Sequence, residues 1–151
     1  AASASAFPAP TSPHVSCASS AMNATVVDCS ALAAVVFEED WGAEVLPQMK
    51  GRRLIAPALL PFELAQVCST KMRRHPAQSA VLLDQFVAAL GQLSLDLEPV
   101  GFDELPALAE RHGLSCYDAA YLWLALAHRA PIVTFDRKLA AAYLEAAKEV
   151  D

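Results

Sequence analysis

The sequence predicts an α/β protein: a parallel sheet of short strands with helices packed on both faces. Three observations carry this. Short strand-like runs occur at Thr25-Val26-Val27, at Arg53-Leu54-Ile55-Ala56 and at Ile132-Val133-Thr134-Phe135. Stretches with helical periodicity and helix-end signals separate them, so the strands alternate with helices. One stretch, Ala119 to His128, carries no formal charge and is apolar on nearly every face, which marks a central, buried helix.

The elements follow in order. Thr25-Val26-Val27 reads as a short buried strand. Ser30 is placed to cap a helix running to about Phe37, and a second helix covers Trp41 to Met49. Arg53 to Ala56 is the second strand, stopped by Pro57. Pro61 suits a first helical turn, and that helix extends to Arg74. His75-Pro76 breaks it, and Ala77 to Leu90 forms the next. Residues 93–98 (LSLDLE) alternate as a half-exposed strand does. Helices follow over Asp103–His112 and Tyr117–Arg129. Pro131 ends the last of these, Ile132 to Phe135 is the fourth strand, and residues 137–148 are helical. No internal repeat and no second domain is visible.

Composition narrows the class. Hydrophobic residues make up 55% and charged residues 19%, which excludes intrinsic disorder for the chain as a whole. No run of about 18 apolar residues is present, so no membrane-spanning helix is expected. The four cysteines (17, 29, 68 and 116) form no C-x-x-C pair. They read as reduced thiols and the protein as cytoplasmic. A net charge of −6 argues against a simple basic nucleic-acid binder. Residues 1–21 carry no Lys, Arg, Asp or Glu and show no apolar period. They read as a flexible leader or tag-like extension, with Met22 as the natural start and 22–151 as the folded domain.

In an open α/β sheet, ligands gather beyond the carboxyl ends of the strands. Four acids belong there: Asp28 after the first strand, Glu63 in the first turn after the second, Asp118 at the head of the charge-free helix, and Asp136 after the fourth strand. Converging carboxylates repel one another and need cations to coexist. Oxygen ligands without His or Cys suit Mg2+ or Mn2+. Each acid also has a simpler reading. Asp28 and Asp136 are placed as helix caps, Glu63 as a dipole partner, and Ser115-x-x-Asp118 as a capping box. Lys71, Arg73, Arg74 and His75 form a basic cluster, either solvated or phosphate-binding, and Arg137 and Lys138 lie beside Asp136. Cys29 and Cys116 flank the acids with no His placed to activate a thiol, and read as small core residues.

Four pieces in this order resemble the PIN domains, specifically the VapC-type toxin ribonucleases. They are Val26-Val27-Asp28-Cys29-Ser30, Pro61-Phe62-Glu63-Leu64, Gly113 to Tyr121 followed by Leu124-Ala125, and Ile132 to Leu139. The resemblance covers residues 25–139. It implies a three-layer α/β/α fold with a central parallel sheet of four or five short strands. It implies Asp28, Glu63, Asp118 and Asp136 as a catalytic, metal-holding set, with Ser30 and Thr134 as hydroxyls beside it. It further implies divalent-metal-dependent cleavage of RNA, an antitoxin partner and a homodimer, with no membrane partner. Two departures from the family pattern stand out. A further acid found in some relatives is replaced by Leu139, Ala140 and Ala141, and the chain ends soon after its last helix, leaving little room for a fifth strand. A haloacid dehalogenase-type phosphatase would need an acid where Ser30 stands, and a receiver domain an acidic pair where Val27-Asp28 stands. The remaining alternative is a non-catalytic PIN-like module that binds RNA or protein.

Overall fold

The computed structural model describes residues 23–150. The expected leader, residues 1–21, lies outside them. The elements run β1 (Ala24–Val27), α1 (Cys29–Val36), α2 (Gly42–Met49), β2 (Arg53–Pro57), α3 (Leu60–Arg74), a 3-10 turn (Pro76–Gln78), α4 (Ser79–Gln92), β3 (Leu95–Glu98), α5 (Leu105–His112), α6 (Cys116–His128), β4 (Ile132–Val133) and α7 (Arg137–Val150). The four strands form one parallel sheet in the order β3-β2-β1-β4. Among the described residues no fifth strand joins it. No described helix is long and apolar enough to cross a membrane.

The topology decides where a site can be. From β1 the chain steps outward to β2 and β3, then returns across the sheet to β4 on the other side of β1. Right-handed crossovers place the first connections on one face and the return on the opposite face. The packing agrees: α1 lies against α2, α3 and α4, whereas α6 lies against α5, α7 and the sheet. The winding therefore reverses between β1 and β4, and the crevice beyond their carboxyl ends is the switch point at which open α/β sheets bind ligands. Helices α1, α3, α6 and α7 all start at that edge, because each runs antiparallel to the strand it follows or precedes.

The core explains the order. β1 is central and every residue in it is buried. Its Val26 pairs with Ile55 on one side and Ile132 on the other. The charge-free α6 is the most deeply packed helix, with Ala119, Ala120, Tyr121, Leu122, Leu124 and Ala125 buried. β3 is the edge strand, and its polar side is held by Arg53, which pairs with Asp96 at 2.7 Å and Glu98 at 2.6 Å. Gly113, at φ +62°, ends α5 in the left-handed turn that glycine adopts without strain and leads into α6.

Two expectations are corrected. Ser30 is not the cap of α1. Asp28 holds the N-cap position and makes no side-chain cap bond, while Ser30 lies inside the first turn. The fourth strand is two residues long rather than four. Phe135 N–H donates to Ser30 Oγ at 2.9 Å and Asp136 N–H to Thr134 Oγ1 at 2.9 Å, so these amides serve the site and not a strand ladder.

Gly42 shows how tightly α1 and α2 meet. A Cβ there would lie 2.6 Å from the carbonyl oxygen of Ala34 and 2.9 Å from its carbon. Both are backbone atoms, so neither can swing aside. Gly42→Ala is expected to cost about 1–3 kcal/mol, as overpacking does elsewhere. Urea unfolding measures this, and an unchanged midpoint would mean the two helices separate freely.

Candidate functional site

Asp28 is buried, 6% exposed, at the end of the central strand. Its Oδ2 accepts two hydroxyls, Ser30 Oγ at 2.7 Å and Thr134 Oγ1 at 2.7 Å. These hydroxyls in turn accept the backbone amides of Phe135 and Asp136. The turn after β1 and the turn after β4 are thereby tied together through one carboxylate oxygen. No described donor reaches Asp28 Oδ1. Oδ1 is not fully buried, so it is open to water or to a cation.

Glu63 stands in the first turn of α3. Its Oε2 accepts the phenol of Tyr121 at 2.5 Å. Tyr121 follows Asp118 by three residues, so the two lie on one face of α6. Asp118 takes part in the anticipated cap: its N–H donates to Ser115 Oγ at 3.0 Å, and Ser115 Oγ donates to its Oδ2 at 2.8 Å. Asp136 caps α7, with Oδ1 accepting the amides of Lys138 at 2.8 Å and Leu139 at 3.0 Å. Among the described residues, none of the four acids has a Lys or Arg ion-pair partner. Nor do three Asp, Glu, His or Cys side chains there converge closely enough, as they stand, to hold a metal ion. The donor chemistry is nevertheless that of a hard divalent cation: carboxylate oxygens only, with Asp28 Oδ1 and Glu63 Oε1 uncommitted.

The model of the PIN domain family matches residues 25–144. The chain belongs to the PIN domain family. PIN domains are in general nucleases that use divalent metals. The matched stretch takes in Asp28, Glu63, Asp118 and Asp136. The crystal structure of PAE2754 from Pyrobaculum aerophilum shares the fold, with a TM-score of 0.65 and 22% identity over 85% of this chain and 95% of that one. No curated protein matches the chain.

Electrostatics in this PIN domain tie three of the acids together. The Glu63 carboxyl is pushed up to about 6, first by burial and then by the charges of Asp28 and Asp118, while the Tyr121 hydrogen bond pulls it down. The Cys29 thiol is pushed up to about 12 by burial and then by Glu63 and Asp28. It stays protonated and is no nucleophile. Burial and Glu63 also raise Tyr121 well above its usual value, so its phenol is a proton donor.

The sign of the Glu63 shift gives a pH prediction. An acid raised from its usual 4.5 to about 6 favours the neutral form in the folded state. Its contribution to stability is fully present below 4.5 and is lost as pH rises through 6. Metal-free native protein should therefore lose stability relative to Glu63→Gln between these limits, by on the order of 1 kcal/mol once solvent screening is allowed for. Parallel urea-stability profiles for the two proteins would contradict it.

The basic residues divide. Lys71 pairs with Glu39 and lies 5.7 Å from the centre of the Phe37 ring. Arg73 donates to Ser69 and Thr70 on its own helix. At the rise of an α-helix, Lys71 and Arg74 lie about 12 and 16 Å along α3 from Glu63, away from the acidic edge. Arg137 and Lys138 are exposed at the start of α7, directly after Asp136. Sequence reasoning assigned no role to Tyr121. The available signal was a hydroxyl within a charge-free buried helix, since a buried tyrosine O–H normally finds a partner.

Proposed function

We propose that this PIN domain is a divalent-metal-dependent endoribonuclease and the toxin of a VapBC-type toxin–antitoxin pair. The observation that carries the reading is the set of carboxylates after β1, β2 and β4 and at the head of α6, with Asp28 buried and, among the described residues, no Lys or Arg ion-paired to any of them. Asp28, Glu63, Asp118 and Asp136 would hold the cation. Bound Mg2+ or Mn2+ would supply Lewis acidity and activate water for attack on a phosphodiester. Ser30 and Thr134 hold Asp28 through its Oδ2 and leave Oδ1 uncommitted. Arg137 and Lys138, exposed directly after Asp136, would meet flanking phosphates, and Arg73 and Arg74 would serve a more distant stretch of RNA. Departure of the 3′-oxygen leaves 3′-hydroxyl and 5′-phosphate ends, with no covalent protein intermediate.

Two partners belong to this reading. A cognate antitoxin covers the acidic edge, and a second copy of the chain forms a homodimer. Trp41 at the N-cap of α2 and Leu46 on it, each about half exposed, and Val81, Val87 and Leu90 on α4 offer apolar surface for association. Cys29, Cys68 and Cys116 are free thiols, in keeping with a cytoplasmic setting. The alternative, a non-catalytic module that binds RNA or protein, draws on the capping bonds of Asp118 and Asp136, which give both acids a structural task.

The deciding experiment is incubation of the purified protein with total RNA in Mn2+ and in EDTA, with mapping of both ends of each fragment. Discrete fragments formed in Mn2+ and abolished by EDTA are expected. RNA bound but left intact in Mn2+ would favour the non-catalytic module.

A further inference from the structure

Tyr121 is the least explained polar group near the acids. It is 0% exposed, and its ring belongs to the main hydrophobic core. Its hydroxyl reaches across from α6 to α3 and meets Glu63 Oε2 at 2.5 Å, joining residues 58 apart in sequence. No other described donor touches Glu63. Ser30 and Thr134 stand in the same relation to Asp28, where two hydroxyls take one oxygen and leave the other free. The edge thus has two carboxylates, each anchored through a single oxygen by neutral hydroxyls. Anchoring by hydroxyls orients a carboxylate without neutralising it, whereas Lys or Arg would compete with a cation.

We infer that Tyr121 is a positioning residue of the nuclease site: its hydroxyl holds Glu63 through Oε2, so that Oε1 is presented to the divalent cation. The inference rests on the nuclease reading above and deepens it. Glu63 carries its carboxylate on a side chain with three rotatable bonds, on the first turn of a helix. Among the described residues the phenol makes the one hydrogen bond that selects among its orientations. Holding a ligand in place before the cation arrives removes that ordering cost from binding, and loss of such an outer partner typically weakens metal affinity about 10–100-fold.

Tyr121→Phe removes the hydroxyl and keeps the ring, so packing is conserved. The expected result is Mn2+ binding weakened about 10–100-fold by calorimetry, and half-maximal RNA cleavage shifted to higher Mn2+ by the same factor. The rate at saturating Mn2+ should recover most of its native value. A purely structural role for Tyr121 would lower the melting temperature without moving the Mn2+ affinity measured well below it. Glu63→Asp supplies a second variant, because it keeps the charge but draws the carboxylate back from the phenol by one methylene. It too should bind Mn2+ more weakly, and adding Tyr121→Phe to it should change nothing further. A folded Tyr121→Phe protein whose Mn2+ affinity stays within about twofold of native overturns the positioning role and leaves the nuclease reading intact. Native protein that takes up no Mn2+, or an Asp28→Asn protein that binds it as the native does, overturns the nuclease reading and the inference with it.

Discussion

Asp28→Asn should lower the rate of RNA cleavage by roughly 10³-fold, the equivalent of the several kcal/mol of charge stabilisation a bound cation supplies. The effect should be large because of where Asp28 stands. It is buried at the end of the central strand, and its Oδ2 is already committed to Ser30 and Thr134. Oδ1 accepts no described hydrogen bond and is the oxygen left for a cation. The asparagine amide has nearly the same shape, and its oxygen can still accept both hydroxyls, so the tie between the turns after β1 and β4 should persist. Single-turnover cleavage at saturating Mn2+ measures the loss, and circular dichroism checks the fold. An Asp28→Asn protein cutting RNA within about tenfold of the native rate would remove the carboxylate site from the chemistry.

The second large effect is the response of stability to metal. Native protein should gain about 2.7 kcal/mol against urea at Mn2+ a hundred times its dissociation constant, since only the folded state gathers the ligands. Asp118→Asn should gain far less. In EDTA the two should lie within about 1 kcal/mol of each other, because two small terms oppose. The amide of Asp118 caps through Ser115 Oγ and survives the substitution, so Asn forfeits only a favourable charge at a helix N-terminus, about 0.3–1 kcal/mol. Against this, Asn removes a charge that presses on Glu63, and that pressure is weaker than the effects of burial, the Tyr121 hydrogen bond and Asp28. Equal stabilisation of both proteins by Mn2+ would show that Asp118 is a helix cap and nothing more.

Much of this was legible in the chain because the signals are local. Short strand-like runs alternating with helical periods placed the elements, and Pro61, His75-Pro76 and Pro131 marked helix ends within a few residues. The absence of charge from Ala119 to His128 marked α6 as the buried helix, since charged groups are rarely buried unpaired. The Ser115-x-x-Asp118 spacing wrote its own capping bond, because both partners lie within one turn. The order of strands and helices also put Asp28 and Asp118 close enough to Glu63 for their charges to act on it, while among the described residues no three acidic side chains converge as a metal-holding group. Tertiary structure alone decided which oxygens remain free there. Asp28 and Thr134 are 106 residues apart and Glu63 and Tyr121 are 58 apart, yet each pair is in hydrogen-bond contact. Such contacts depend on the handedness of the crossovers and on how α6 seats against the sheet, and neither is encoded within a turn or a strand. For the same reason Ser30 left its capping role, β4 stopped after two residues, and Lys71 turned to Glu39: in each case a partner distant in sequence offered a better hydrogen bond or ion pair than the local one.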